Sequence, residues 1–224
     1  MKLTLKQHTI TFLFLLSFIT GATIAHGQCF TWVSEGIAGF STSGAQYTSI
    51  ATDAAGTPYV AYMDEGASNK ATVKKLSGGI WNTVGIAGFT TSRADYTSIA
   101  ISPSGEPYVA FMDQSASSKA SVMRYNGSSW VHVGAIGFTP GQAENTVISF
   151  DATGTPYVAF IDWVVSRRVS VMKFNGAAWE MVGASGISVA QAAFVDLALN
   201  SAGLPSVAYK DLGNGGKVTV QSFS

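Results

Sequence analysis

Four aspartates recur at one spacing: Asp64, Asp113, Asp162 and Asp211, each 49 residues after the last. Six residues beyond each stands a cation: Lys70, Lys119, Arg168 and Lys217. An acid and a base that flank one short loop predict a cross-strand ion pair that pins the loop. The rival reading is an acidic ring that holds a metal or another ligand, but the neighbouring cation already uses the charge. Neither is catalysis. General acid–base work needs two groups in unlike environments at one place, whereas a repeat puts like groups in like places.

Function is better sought where the repeat breaks, because a repeat keeps what packing needs. The third unit replaces Gln114-Ser115-Ala116-Ser117-Ser118 with Trp163-Val164-Val165-Ser166-Arg167, followed by Arg168. An aromatic and two cations on one surface loop make a contact patch. The fourth unit places Asp196 where the others have Ser49, Ser98 and Val147, and Lys210 where they have Met63, Met112 and Ile161. These two opposite charges either pair with each other or contact a ligand. The expected ligand-binding set is therefore Trp163, Arg167, Arg168, Asp196 and Lys210. No catalytic residue, metal ligand or cofactor is expected. His26 and His132 are isolated, and no His/Cys/carboxylate cluster has metal-ligand spacing. There is no nucleophile elbow, Gly-rich phosphate loop, zinc-protease motif or sialidase-type Asp-box.

The elements that must position these residues follow from the repeat. Gly56-Thr57-Pro58-Tyr59-Val60-Ala61-Tyr62-Met63-Asp64 returns at Gly105–Asp113, at Gly154–Asp162 and, more worn, at Gly203–Asp211. Trp32, Trp81, Trp130 and Trp179 keep the same step of 49. Each unit reads as a Trp strand, a Gly/Ser/Thr-rich loop, a β run such as Tyr96–Ile101, a turn closing on Gly, the Gly-x-Pro strand, and a strand such as Ala120–Tyr125. Asn126-Gly127 is a strong hairpin signal. Four antiparallel strands at this period predict an all-β protein, a β-propeller of four 49-residue, four-stranded blades; kelch repeats have a similar period. The Gly-x-Pro strand is apolar at almost every position, so it must be covered on both faces. Ile50, Ile99, Ile148 and Leu197 are expected to fill the gaps between blades. The Trp residues read as packing between blades, or as platforms that stack on sugar rings.

The fourth unit lacks a Trp strand of its own, and Phe30-Thr31-Trp32-Val33 has no unit before it. The expectation is a four-bladed ring closed by this N-terminal strand, which removes an open sheet edge. The alternative is part of a larger ring of five to seven blades. The loops 65–69, 114–118, 163–167 and 212–216 are expected to share a face with the crossings 36–46, 85–95, 134–144 and 183–193, and a site to form on that long-loop face.

Residues 1–27 read as a signal peptide: Lys2 and Lys6, an apolar run from Ile10 to Ile19, then Ala25-His26-Gly27 as a cleavage site. The propeller domain then occupies 28–224, and a secreted, periplasmic or cell-surface location is expected. With Cys29 the single cysteine, no internal disulfide forms. Basic and acidic residues balance at 13 each, which leaves no electrostatic footprint for nucleic acid or anionic membrane. No membrane insertion is expected, and the oligomeric state is left open.

The template Trp-x-x-Val-Gly, Tyr-Thr-Ser-Ile-Ala, Gly-x-Pro-Tyr-Val-Ala-Tyr-x-Asp resembles repeats of secreted bacterial β-propeller proteins. More distantly it is similar to propeller lectins of the fungal fucose-binding type. The resemblance covers the whole mature chain in period and strand order. It implies a non-catalytic binding module for glycan or another surface polymer. The lectins' set of an Arg and a Glu with aromatics between adjacent blades has no repeated counterpart here, so no sugar-binding residue is carried over. The alternative function is a structural or protein-interaction platform whose partner is a surface protein; a hydrolase or lyase on a propeller scaffold ranks last.

Overall fold

The computed structural model describes residues 31–224, so the expected signal peptide and Cys29 lie outside the described residues. The propeller is built by Ser34–Ser224. Blade 1 holds β1 (Ala45–Thr52), β2 (Pro58–Asp64), β3 (Lys70–Ser77) and β4 (Ile80–Thr83). Blade 2 holds β5 (Ala94–Ile101), β6 (Pro107–Asp113), β7 (Lys119–Tyr125) and β8 (Trp130–His132). Blade 3 holds β9 (Ala143–Phe150), β10 (Pro156–Asp162), β11 (Arg168–Phe174) and β12 (Trp179–Met181). Blade 4 holds β13 (Ala192–Leu199), β14 (Pro205–Asp211) and β15 (Lys217–Ser222). Every sheet is an antiparallel meander, as the repeat predicts. No helix among the described residues is long and apolar enough to cross a membrane.

The Gly-x-Pro strand is the buried second strand of each blade. Its Gly stands at positive φ (79° at Gly56, 87° at Gly105), where a side chain is strained, and closes the preceding turn. Its Pro opens the strand, a position that asks for no ladder donor. Three apolar clusters lie in the gaps between successive blades. Ile99, Ile148 and Leu197 are buried in these gaps as expected, at 5%, 4% and 8% exposure.

The blades are stitched together near the axis. The Thr146 hydroxyl donates to the Tyr96 carbonyl of the blade before it at 2.6 Å, and the Thr97 hydroxyl does the same to Tyr47. The Ile99 and Ile148 N–H groups donate to the hydroxyls of Ser49 and Ser98, at 3.1 and 3.2 Å. Each inner strand carries a bulge. There Tyr47, Tyr96, Asn145 and Phe194 take left-handed backbone at φ 51° to 54°.

Two expectations are corrected. First, blade 4 has three strands among the described residues, where four were expected. Second, the repeated Asp–Lys/Arg ion pair does not form. The residues are directly opposed across the hairpin, Asp64 to Lys70, Asp113 to Lys119, Asp162 to Arg168 and Asp211 to Lys217. Yet each carboxylate is buried and filled by neutral donors. One oxygen accepts the amide two residues on, and the other accepts the hydroxyl eight residues on: Thr72, Ser121, Ser170 or Thr219. A carboxylate so saturated needs no counter-charge. The stems of Lys119 and Arg168 pack instead against Gly137 and Gly186 of the next crossing.

Candidate functional site

A crevice of about 690 Å³ opens between blades 2 and 3. Its walls carry Tyr108, Arg124 and His132 from blade 2 and Asp151, Thr155, Tyr157, Lys173 and Asn175 from blade 3. It lies on the side of the tight turns, opposite to the long-loop face where the sequence suggested a site. The reason is geometric: the long loops are tied down. The Glu65, Gln114, Trp163 and Leu212 amides each donate to a carbonyl of the adjoining crossing, at 3.0 to 3.2 Å. That bonding ties each long loop to its crossing.

Each wall is held rigidly. The Asp151 carboxylate accepts the backbone N–H of Thr153 and Thr155, both at 2.9 Å, and the Thr153 hydroxyl at 2.7 Å. Burial pushes the Asp151 carboxyl up, but the hydrogen bonds from Thr153 and Thr155 outweigh it and hold the group below the ordinary 3.8. Arg124 pairs with Glu106 at 2.8 Å, and Lys173 with Glu180 at 3.4 Å. Tyr108 stands edge-on to Phe150, ring centroids 4.9 Å apart, and burial raises its hydroxyl pKa. The buried Nδ1 of His132 has no partner among protein atoms. The result is a slot with aromatic surface, fixed cations, hydroxyls and an amide, which suits a polyhydroxylated ligand better than an apolar one.

The Arg–Glu pair occurs once. Lys75 and Thr57, Lys173 and Thr155, and Ser222 and Leu204 stand at the same places in the other blades. The search for breaks in the repeat took in the third and fourth units and passed over this one in the second. The signal that would have found it is a charge pair on opposed strands at the turn side of blade 2.

The sequence-derived set is only partly brought together. Trp163 and Arg167 do meet: the guanidinium lies over the indole, 5.1 Å from its centroid. Arg167 is also held by Glu144 at 3.3 Å and sits at positive φ (58°). Arg168 points away, its stem against Gly186. Asp196 and Lys210 do not pair. Asp196 binds the Leu197 amide, and Lys210 is an exposed residue opposed to Ala193. Trp81, Trp130 and Trp179 are packing elements: they stack on Phe40, Phe89 and Phe138, at 4.4, 4.0 and 4.2 Å. No cluster of His, Cys, Asp and Glu that could hold a metal occurs among the described residues.

No family model and no curated protein matches the chain. Solved β-propellers do. A protein of unknown function from Dyadobacter fermentans matches with TM-score 0.57 and 13% identity, over 81% of this chain and 61% of its own. An α-L-arabinanase from Penicillium chrysogenum, complexed with arabinobiose, matches with TM-score 0.55 and 10% identity, over 84% of this chain and 64% of its own. The Aleuria aurantia lectin, complexed with Fucα1-6GlcNAc, matches with TM-score 0.57 and 14% identity, over 79% of this chain and 59% of its own. The chain thus spans about three fifths of the length of these structures. It shares its fold with propeller lectins and with propeller glycosidases alike.

Proposed function

We propose that this propeller binds carbohydrate without cleaving it, in the crevice between blades 2 and 3. The observation that carries the reading is the slot itself: Tyr108 and Tyr157 supply ring surface, and Arg124, Lys173 and Asn175 supply donors for sugar hydroxyls. The propeller neighbours that hold a fucosylated disaccharide or arabinobiose make the same class of ligand worth testing.

Binding is favoured over hydrolysis because glycosidases use two facing carboxyls, one of them with a raised pKa. The one carboxylate on the crevice wall, Asp151, has a lowered pKa and is saturated by its own turn. An export signal in residues 1–27 would place the protein in the periplasm or outside the cell, where glycans are met. A glycan array followed by calorimetry with fucosylated and arabinose-containing oligosaccharides tests the proposal. Binding that is lost in Tyr108→Ala and Lys173→Ala supports it. Release of reducing sugar would make the protein a hydrolase, and no response to any glycan would remove the reading.

A second reading rests on the stacked Trp163–Arg167 pair beside exposed Val164. This aromatic patch on the long-loop face suits a surface-protein partner. Pull-down with Trp163→Ala as the control separates it from glycan binding.

A further inference from the structure

The crevice between blades 2 and 3 has a cation on each wall. Both walls set a tyrosine directly across a strand pair from that cation: Tyr108 from Arg124 in blade 2, and Tyr157 from Lys173 in blade 3. Blade 1 repeats the arrangement with Tyr59 and Lys75, but there the lysine pairs with the turn aspartate Asp53 at 3.9 Å. The crevice is built differently. Blade 2 has Ser102 where blade 1 has Asp53. Blade 3 keeps the aspartate as Asp151, yet Lys173 pairs with Glu180 instead, at 3.4 Å.

The carboxylates that answer these cations, Glu106 and Glu180, are not among the residues that line the crevice. Glu106 takes one N–H of Arg124, at 2.8 Å, whereas a guanidinium carries five. Glu180 is shared: one oxygen faces Lys173, and the other accepts the Asn175 amide at 2.9 Å. Asp151 does line the crevice, but its Oδ1 is filled by Thr153 and Thr155. Its Oδ2 lies towards Gly203 of blade 4, 3.6 Å from where a Cβ on that glycine would stand. The Asn175 carbonyl oxygen is likewise spent, on the Ala177 and Ala178 amides. A ligand in the slot therefore meets charged donors from two sides, while the side-chain carboxylate and carbonyl acceptors are engaged elsewhere.

We propose that the sugar this crevice takes is an acidic one, held by its carboxylate or sulfate between Arg124 and Lys173. The inference rests on the crevice being the sugar site. A neutral sugar offers mainly hydroxyls, and each brings a donor that needs an acceptor. An anionic substituent brings acceptors only. It accepts from the Arg124 N–H groups that Glu106 leaves free and from the Lys173 ammonium, and such charge-assisted bonds are the stronger kind. The Arg124 and Lys173 side chains are 37% and 39% exposed, so a ligand reaches them without displacing the wall. Tyr108 and Tyr157 then give the sugar ring its apolar contact. The carboxylate of a uronic acid and a sulfate ester share this chemistry.

The test is calorimetry on the full chain with matched pairs that differ in charge: an oligogalacturonide against its methyl ester, and a sulfated galactan oligosaccharide against the desulfated one. In one pair or both, the charged member should bind about tenfold more tightly, and the pair that discriminates identifies the group. That preference should shrink as salt is added. Arg124→Gln and Lys173→Gln should each cost the charged member more affinity than the neutral one, with melting curves to show that both variants fold. Equal binding of the two members in both pairs would overturn this proposal and leave the carbohydrate reading standing. No binding to these or to any other glycan would overturn both.

Discussion

The Leu197 N–H donates to the carboxylate of its own neighbour Asp196, 2.8 Å away. At the same place Ile99 and Ile148 donate to a serine hydroxyl of the preceding blade. Blade 3 offers Val147 there instead, which has no acceptor. Asp196 repairs that loss locally. Asp196→Ala should therefore destabilise the protein by about 1–2 kcal/mol, the cost of an unsatisfied amide in a buried gap. Val147→Ser should recover most of this loss in the Asp196→Ala background. Denaturant melts of the two single variants and the double variant check it; strictly additive effects would refute the repair.

The buried aspartates act as hydrogen-bond acceptors, not as half of an ion pair. Asp113 is 2% exposed and accepts the Ser115 amide and the Ser121 hydroxyl, both at 2.9 Å. Asp113→Ala should cost about 2–3 kcal/mol, since it strands the donors of a tight turn. Lys119→Ala should cost less than about 0.5 kcal/mol, the scale of an ordinary surface change. Comparable losses in the two urea midpoints would restore the ion-pair view.

Tyr62 carries a buried hydroxyl with no partner among protein atoms, where blades 2 and 3 have Phe111 and Phe160. Burial, helped by the Asp64 carboxylate, pushes its pKa up to about 12 from an ordinary 10.0. A raised folded-state pKa contributes stability that is whole below pH 10 and is lost as pH rises towards 12. Tyr62→Phe should gain up to about 1 kcal/mol at neutral pH, because it deletes an unsatisfied polar group. It should also flatten the alkaline fall in melting temperature between pH 10 and 12.

Asp151 and Asp211 sit on the opposite limb. Burial raises Asp151, but the bonds from Thr153 and Thr155 prevail; for Asp211 the bond from Asn214 leads, and both end below 3.8. Their stabilisation is whole above that value and is lost as pH falls through the lowered pKa. Thermal melts should stay level from pH 7 to 5 and drop below about pH 4. Thr153→Ala should lower stability at neutral pH and make that acid drop shallower, because it narrows the gap between the folded and unfolded pKa of Asp151.

Much of the fold was legible because packing repeats. The 49-residue step placed the strands, the turn glycines and the buried isoleucines, since each blade meets its neighbour through the same residues. The exceptions follow from what repetition hides. Ile50 has the sequence of a core residue and the exposure of a surface one, because burial there depends on a neighbour and not on residue type. The Asp64–Lys70 pair was misread because strand register brings two residues opposite each other but does not say which donors are closer. The Arg124–Glu106 pair was passed over because it occurs in one blade, and the crevice that Arg124 lines lies where two blades leave a gap. Trp163 and Arg167 stand out in the sequence because they break the pattern, although the contact that holds Arg167, Glu144, lies on another strand.

The two faces of the propeller give opposite predictions for ligand binding. On the turn side, Lys173 and Tyr108 line the slot, and their removal takes away a hydrogen-bond donor and a ring surface; Tyr108 also packs against the apolar cluster between blades 2 and 3, so its variant is read beside a melting curve. Each of Lys173→Ala and Tyr108→Ala should weaken a bound oligosaccharide by about tenfold, which is ~1.4 kcal/mol. On the long-loop side, Trp163→Ala should leave sugar affinity unchanged, because its indole packs with Arg167 on the far face. Calorimetry with one oligosaccharide across the three variants decides the matter. If Trp163→Ala alone abolishes binding, the site lies on the long-loop face, and the crevice between blades 2 and 3 is only a gap in packing.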